Sequence, residues 1–303
     1  MPERGLAIPQ GALQAFTDSE TAVSTWISPA RDDYKYREMM FDKLIARIDK
    51  TEGRLIVYEG RYKPRITAET DCLIPFPAKL CQTEKDKKSV LVHLVCDDAS
   101  AWLQDILKYI LTGIAANIFE VHGAVRSRKL DMVAVDIFNN VQDTDFEHEF
   151  LKGKLMNGGE EYALDLSSAQ YGYFEPVDPW REYFQTRVSK LAARQHFEYF
   201  GGAKQSLLAE RGDKDVKGID ASLDAESSQE LLSSTEEWQK ENSTTIMKML
   251  KLPLEDFEMK QKLWVDFIAD NLGQYHAWLR ERAEKDKAEA TGAAQTCKQT
   301  KPK

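Results

Sequence analysis

The sequence predicts an α+β fold: a central antiparallel or mixed sheet with a buried helix against it and C-terminal helices packed on the same core. Three observations lead there. Tyr162, Leu164 and Leu166 alternate with Ala163, Asp165 and Ser167, which is the period-two pattern of a two-faced strand. Trp102, Leu103, Ile106, Leu107, Ile110 and Leu111 recur at the spacing of a helix buried along one side. Phe257, Leu263, Trp264, Phe267, Ile268, Leu272, Tyr275 and Leu279 continue that spacing near the end of the chain, too wide an apolar stripe to face water.

In chain order, residues 1–33 read as an arm punctuated by Pro2, Pro9 and Pro29, with Trp26 and Ile27 as anchors. An α+β core domain is expected over 34–209. It opens with a helix, because Met39, Met40, Leu44, Ile45 and Ile48 fall on one face and Gly53 stops the run. Arg54–Tyr58 is a strand, the proline-rich stretch 66–83 is extended, and the lysines of 85–88 form a surface loop. Val90–Val95 reads as a strand buried on both faces, with His93 as a hydrogen-bonded core residue.

Cys96, Asp97 and Asp98 then lead into a helix over 99–116, with one of the aspartates as its N-cap. Phe119–Val125 and Met132–Phe138 are expected to pair as a hairpin across the basic turn Arg126–Lys129. Residues 139–159 read as a solvated acidic loop, since Asp143, Asp145, Glu147, His148 and Glu149 lack the calcium-loop spacing. The strand at 160–167 follows, then the turn to Tyr171–Phe174, and a helix over 180–199. Residues 210–235, rich in Asp, Ser, Lys and Gly, read as a flexible linker. Residues 236–284 carry the C-terminal helices, and 285–303 read as a disordered tail.

Composition narrows the function classes. The chain has 303 residues, 42% of them hydrophobic, enough for a sizeable core, and no apolar run of membrane-spanning length. The start lacks the pattern of a signal peptide, so a cytoplasmic or nuclear location and no membrane partner are expected. Cys72, Cys81, Cys96 and Cys297 have no zinc-like spacing, so no metal and no cofactor is expected. A net charge of −9 argues against a general nucleic-acid coat, although 61–65, 85–88 and 126–129 are local basic spots.

The candidate site gathers around Asp165, a carboxylate in an apolar strand that must be paired or hydrated. Asp97, Asp98 and Asp131 are its expected acidic neighbours, and Arg126, Arg128 and Lys129 its expected cationic ones. Gln170, Tyr171, Ser100 and Trp102 are the expected ligand-binding residues beside them. Cys96 stands near a helix N-terminus, where backbone amides favour a thiolate.

ALDLSSAQYGY at 163–173, followed by EPVDPWREY at 175–183, resembles the core of fungal proteins of a family related to MYND-type zinc-finger proteins, with the finger missing here. The element is similar, more distantly, to the papain-like and transglutaminase-like fold, in which a DxTxxQFG strand supplies the acidic member of a Cys-His-Asp triad. That resemblance implies the acidic role for Asp165 and the trailing glutamine for Gln170. It implies a histidine at the start of the preceding core strand, where Asp131 stands, and a cysteine near Ser100 or Ala101. On that register the triad is broken.

Three functions are therefore expected in turn. The first is a degenerate papain/transglutaminase-like module that binds a small molecule, peptide or protein. The second is a tRNA-dependent, arginine-containing cyclodipeptide synthase of fungal secondary metabolism, taking aminoacyl-tRNA into an acidic cleft; Asp97 and Asp98 match its DDxxE motif, and Ala101 replaces the glutamate. The third is a thiol acyl-transfer enzyme acting through Cys96 and His122.

Overall fold

The computed structural model describes residues 45–60, 76–141, 147–156, 158–192, 198–210 and 216–299. The predicted arm 1–33, the first part of the predicted helix and the basic stretch 61–65 lie outside them. The protein is α+β: a curled antiparallel sheet with helices packed on it.

A smaller sheet comes first. β1 (Ile45–Thr51) and β2 (Arg54–Glu59) form a hairpin, and β4 (Asp131–Val135) joins β2 in parallel. The helix expected to run through Ile45 and Ile48 is thus a strand there. The β-branched Ile45, Ile48 and Thr51 favour the extended chain once Leu55 and Val57 offer a buried face. α1 (Glu84–Leu91) covers this sheet, placing Val90 and Leu91 against Ile45, Leu55, Val57 and Met132.

The expected strand at 90–95 and the expected lysine loop at 85–88 are therefore one helix and its exit. Thr83 caps that helix by accepting the Asp86 N–H at 3.1 Å. The cap together with lysines on the outer face outweighs the β-branched valines. His93, at the exit, is buried as expected.

The main sheet has the order β7 (Val177–Pro179), β6 (Glu161–Leu164), β5 (His148–Leu155), β3 (Ala115–Val125), β8 (Val188–Leu191), with β9 (Glu198–Tyr199) also pairing with β3. All of its ladders are antiparallel. β3 and β4 do not form the expected hairpin, because each enters a different sheet. The connection between them is instead tied down where the Tyr171 carbonyl accepts the Lys129 and Leu130 N–H groups. Gly172 makes that approach possible: its φ is +80°, and a Cβ there would meet Lys129 and Leu130 at 3.0 Å.

The expected acidic loop at 139–159 is the largest departure. Residues 142–146 lie outside the described residues, but β5 is a central strand whose first four residues are all buried. The acidic and histidine residues masked its alternation, although Gly158–Gly159 is an ordinary turn signal between two strands.

Each face of the sheet has its own cover. Val121, Phe150 and Ala163 pack with Tyr183 and Val188 on one side, beneath α4 (Trp180–Arg187). The predicted helix over 180–199 ends at Arg187, where the chain turns into β8; residues 193–197 lie outside the described ones.

On the other side Leu151, Tyr162, Leu164 and Leu166 pack with α2 (Cys96–Trp102) and α3 (Gln104–Leu111). The helix expected over 99–116 is these two, followed by β3. α5 (Gly202–Glu210), α6 (Val216–Glu241), α7 (Ile246–Met249) and α8 (Leu254–Gln299) complete the chain. Trp238, Ile246, Met249, Phe257, Trp264, Ile268 and Leu272 enter the same core, so the C-terminal helices pack on the sheet domain as expected.

The expected linker 210–235 is corrected from Val216 onward. Leu223, Ser227, Ser228, Leu231, Ser234 and Thr235 are buried in α6. Its serines are small residues at helix contacts, with hydroxyls satisfied by Trp102 O (2.6 Å) and His276 Nε2 (3.1 Å). Composition alone reads such serines as solvated. The expected tail is helical to Gln299, because α8 runs on past residue 284. No helix among the described residues is long and apolar enough to cross a membrane.

Candidate functional site: a buried His–Asp pair and a helix-borne thiol

β5 carries the site because its alternation sends neighbouring residues to opposite faces. His148 and Phe150 face α4, whereas Glu149 and Leu151 face the helical side. The His148 side chain is fully buried, and its Nε2 lies 3.0 Å from Asp165 Oδ2. Asp165 comes directly after β6, on the face opposite Leu164 and Leu166, as its alternation predicts.

The carboxylate is saturated: Tyr183 donates its hydroxyl to Oδ2 at 2.7 Å, and the Ser167 N–H donates to Oδ1 at 3.2 Å. Burial pushes the Asp165 carboxyl up, but His148, Tyr183 and Arg187 outweigh it and hold the group below the ordinary carboxylate range. Both ring nitrogens of His148 and Ser167 Oγ are buried and make no hydrogen bond of ordinary geometry among the described residues, although Nε2 lies 3.0 Å from Asp165 Oδ2.

Cys96 is the first residue of α2, and α2 packs on β5. Its half-buried thiol donates to Asp97 Oδ1 at 3.3 Å and also lies against the Glu149 backbone. Burial and the Asp97 carboxylate push the thiol well above its usual value, and the Glu149 backbone N–H opposes them. Just before this helix Leu94 adopts φ +60°, a left-handed conformation that costs a leucine about 1 to 3 kcal/mol. Gln170 Oε1 holds it by accepting the Leu94 N–H at 3.2 Å.

Glu149, Glu120 and His122 occupy the helical face behind the thiol, as the pairing of β3 with β5 requires. Glu120 accepts the N–H groups of Gly201 (2.6 Å) and Ala203 (2.9 Å), an anion at the start of α5. Gly201 suits that start: at φ +132° a Cβ would strike Gln104 at 2.3 Å. Burial, then the Asp97 and Glu120 carboxylates, push Glu149 up to about 9 against the Ser100 hydroxyl, which favours its charged form. His122 Nε2 lies 3.7 Å from Glu149 Oε2, so the imidazole expected beside the thiol faces a carboxyl group.

The residues singled out from sequence divide accordingly. Asp165 is at the centre, Ser100 meets Glu149, and Asp97 holds the thiol. Tyr171 stands edge-on to His148 at 4.9 Å, under Arg128. Asp97 and Asp98 lie in the first turn of α2 and do not cap it, because the N-cap is Val95.

Asp131 is a correction: its carboxylate pairs with Arg54 (2.6 Å) on the smaller sheet, and its strand does not supply the partner of Asp165. The groups that hold the Asp165 carboxyl down are His148 first, then Tyr183 and Arg187, and not the expected Arg126, Arg128 or Lys129. Gln170 is buried against the chain before α2, and Trp102 packs with Ala203, Leu207 and Ala225, so both serve as struts in this structure.

The residue that sequence reasoning missed is His148. Its signal was present in the strand-turn-strand pattern His148–Leu155, Gly158–Gly159, Glu161–Leu164, which places the start of one strand beside the end of the next.

No family model matches the chain, and no curated protein and no solved structure matches it. Among the described residues no group of three or more His, Cys, Asp and Glu side chains is arranged to hold a metal ion.

Proposed function

We propose that the protein is a thiol-dependent acyl-transfer enzyme of the papain/transglutaminase-like kind, with Cys96 as nucleophile, His148 as base and Asp165 as the group that orients the base. The observation that carries this reading is the buried His148–Asp165 pair, with Nδ1 left without a partner, on the strand against which the Cys96 helix packs. With Nε2 engaged by Asp165, Nδ1 is the nitrogen that takes the thiol proton.

In the first step Sγ attacks a carbonyl carbon and its proton passes to His148 Nδ1. The leaving group departs with that proton, and a thioester remains. In the second, an acceptor gives its proton to Nδ1 as it attacks the thioester, and the thiol is recovered. Asp165 stabilises the imidazolium formed in each step. In the resting protein the thiol is held by Asp97 on the helical face while the His148 ring faces α4, so the reaction requires the start of β5 to rearrange before Sγ and Nδ1 meet.

That same contact favours a second reading, a non-catalytic module that binds a peptide, protein or small molecule on this fold. A thiol raised by burial and by a carboxylate is a poor nucleophile unless a base reaches it.

Limited alkylation at neutral pH followed by peptide mass spectrometry separates the two, with Cys72, Cys81 and Cys297 as internal standards. The enzyme reading expects Cys96 to label first, and His148→Ala to remove that preference by about tenfold or more, since a positioned base contributes roughly 100-fold to 10,000-fold. Cys96 labelling no faster than the other cysteines, with or without His148, supports the binding module instead.

A further inference from the structure

We propose that Tyr183 is a positioning residue for this chemistry, clamping the Asp165 carboxylate against His148 Nε2. The role rests on the acyl-transfer reading, whereas the clamp itself does not involve Cys96. Tyr183 comes from α4, is fully buried and packs its ring on Phe150 with centroids 4.9 Å apart. Its hydroxyl reaches Asp165 Oδ2 at 2.7 Å, the same oxygen that faces His148 Nε2 at 3.0 Å. Ser167 N–H holds Oδ1 from the turn. A carboxylate gripped at both oxygens cannot rotate about its Cα–Cβ and Cβ–Cγ bonds, so Oδ2 stays fixed on the imidazole.

A phenylalanine would fill the same space. The hydroxyl is therefore the part of Tyr183 that packing does not require, and it points at the acidic member of the pair. The helix that carries it is pinned at its far end, where Arg187 pairs with Asp178 and lies over the rings of Tyr173 (4.1 Å) and Tyr183 (5.1 Å). The groups facing Asp165 are thus His148 from β5, Tyr183 and Arg187 from α4, the Asp178 carboxyl from β7, and the Ser167 amide.

The test is a carboxyl-carbon NMR titration of Asp165 in the full chain, beside the alkylation rate of Cys96 at neutral pH. Tyr183→Phe should raise the Asp165 midpoint by at least one pH unit, a tenfold loss of acidity. It should also slow Cys96 labelling several-fold. Fluorotyrosine placed at 183, a stronger donor of nearly the same shape, should move the midpoint the other way, and it decides the matter if Tyr183→Phe does not fold. An Asp165 midpoint unmoved by both changes overturns the proposal, and so does a moved midpoint with unchanged Cys96 labelling, which makes the bond merely structural. A wild-type Cys96 that never labels preferentially removes the acyl-transfer reading, while the Cys96→Ala protein still shows whether Tyr183 moves the Asp165 midpoint.

Discussion

Glu149 and Asp165 are two carboxyl groups on opposite faces of one sheet, and their surroundings drive them in opposite directions. Glu149 remains protonated in the folded protein up to about pH 9, whereas in the unfolded chain it ionises near the ordinary value of 4.5. Between those values the folded state binds more protons, so Glu149 lowers stability progressively as pH rises. Glu149→Gln should therefore raise the melting temperature more at pH 8 than at pH 5, by an amount equivalent to at least about 1.4 kcal/mol at pH 8. A smaller gain at pH 8 than at pH 5 would show that the group is ionised in the fold.

Asp165 has the opposite sign. Its folded value is depressed, so its contribution is present above the ordinary carboxylate range and is lost as pH falls through the folded value. Asp165→Asn should cost about 1.5 to 3 kcal/mol in urea unfolding at pH 7, the worth of hydrogen bonds to a charged group, and the difference from wild type should shrink in acid. A difference that stays constant with pH would mean that the charge contributes nothing.

Among the elements, α6 and α8 meet through a polar seam that titrates. His276 is buried on α8, with Nε2 3.1 Å from Ser227 Oγ on α6. Burial, and then Arg280, lower its pKa to about 4. As pH falls from about 6.5 to about 4 the unfolded chain takes up a proton that the folded seam refuses, so the helices should lose stability across that window. Circular dichroism melts should record the fall, and His276→Gln should flatten it; a melting temperature independent of pH in that window would place the histidine in water.

This seam was hidden in the sequence because Ser227, Ser228, Ser234 and Thr235 resemble linker composition, and only a facing helix turns them into contact residues. The strand at Glu161–Leu164 was legible for the opposite reason: its leucines and its aspartate separate by parity alone. β5 has the same parity, but His148 and Glu149 are both buried and both polar, so no apolar face identified it.

At the scale of the whole molecule, the helical spacing of Trp264, Ile268 and Leu272 told correctly that the C-terminal helices belong to the sheet domain, since these side chains share a core with Leu103, Ile106, Leu151 and Leu164. Removing residues 236–303 exposes that side of the core. Each large side chain there contributes roughly 1.5 to 3 kcal/mol, so the shortened chain should be insoluble. A soluble 1–235 fragment with a cooperative melt would contradict this packing.

The site was legible only in part. Asp165 follows from strand parity, whereas its partner depended on which strand lies next to β6, and pairing between strands is a tertiary fact that local pattern does not carry. Asp131 begins the plainly apolar strand DMVAV, yet that strand belongs to the other sheet.

The account turns on whether His148 acts on Cys96. The measurement that tests this most directly is the pH dependence of Cys96 alkylation in the wild-type, His148→Ala and Asp165→Asn proteins. With the base in play, wild-type Cys96 reacts at neutral pH, both variants react at least about tenfold more slowly there, and all three converge as the thiol ionises unaided in strong alkali. Superimposed profiles, with reactivity in every protein appearing only at the high pH set by burial and Asp97, would contradict the account.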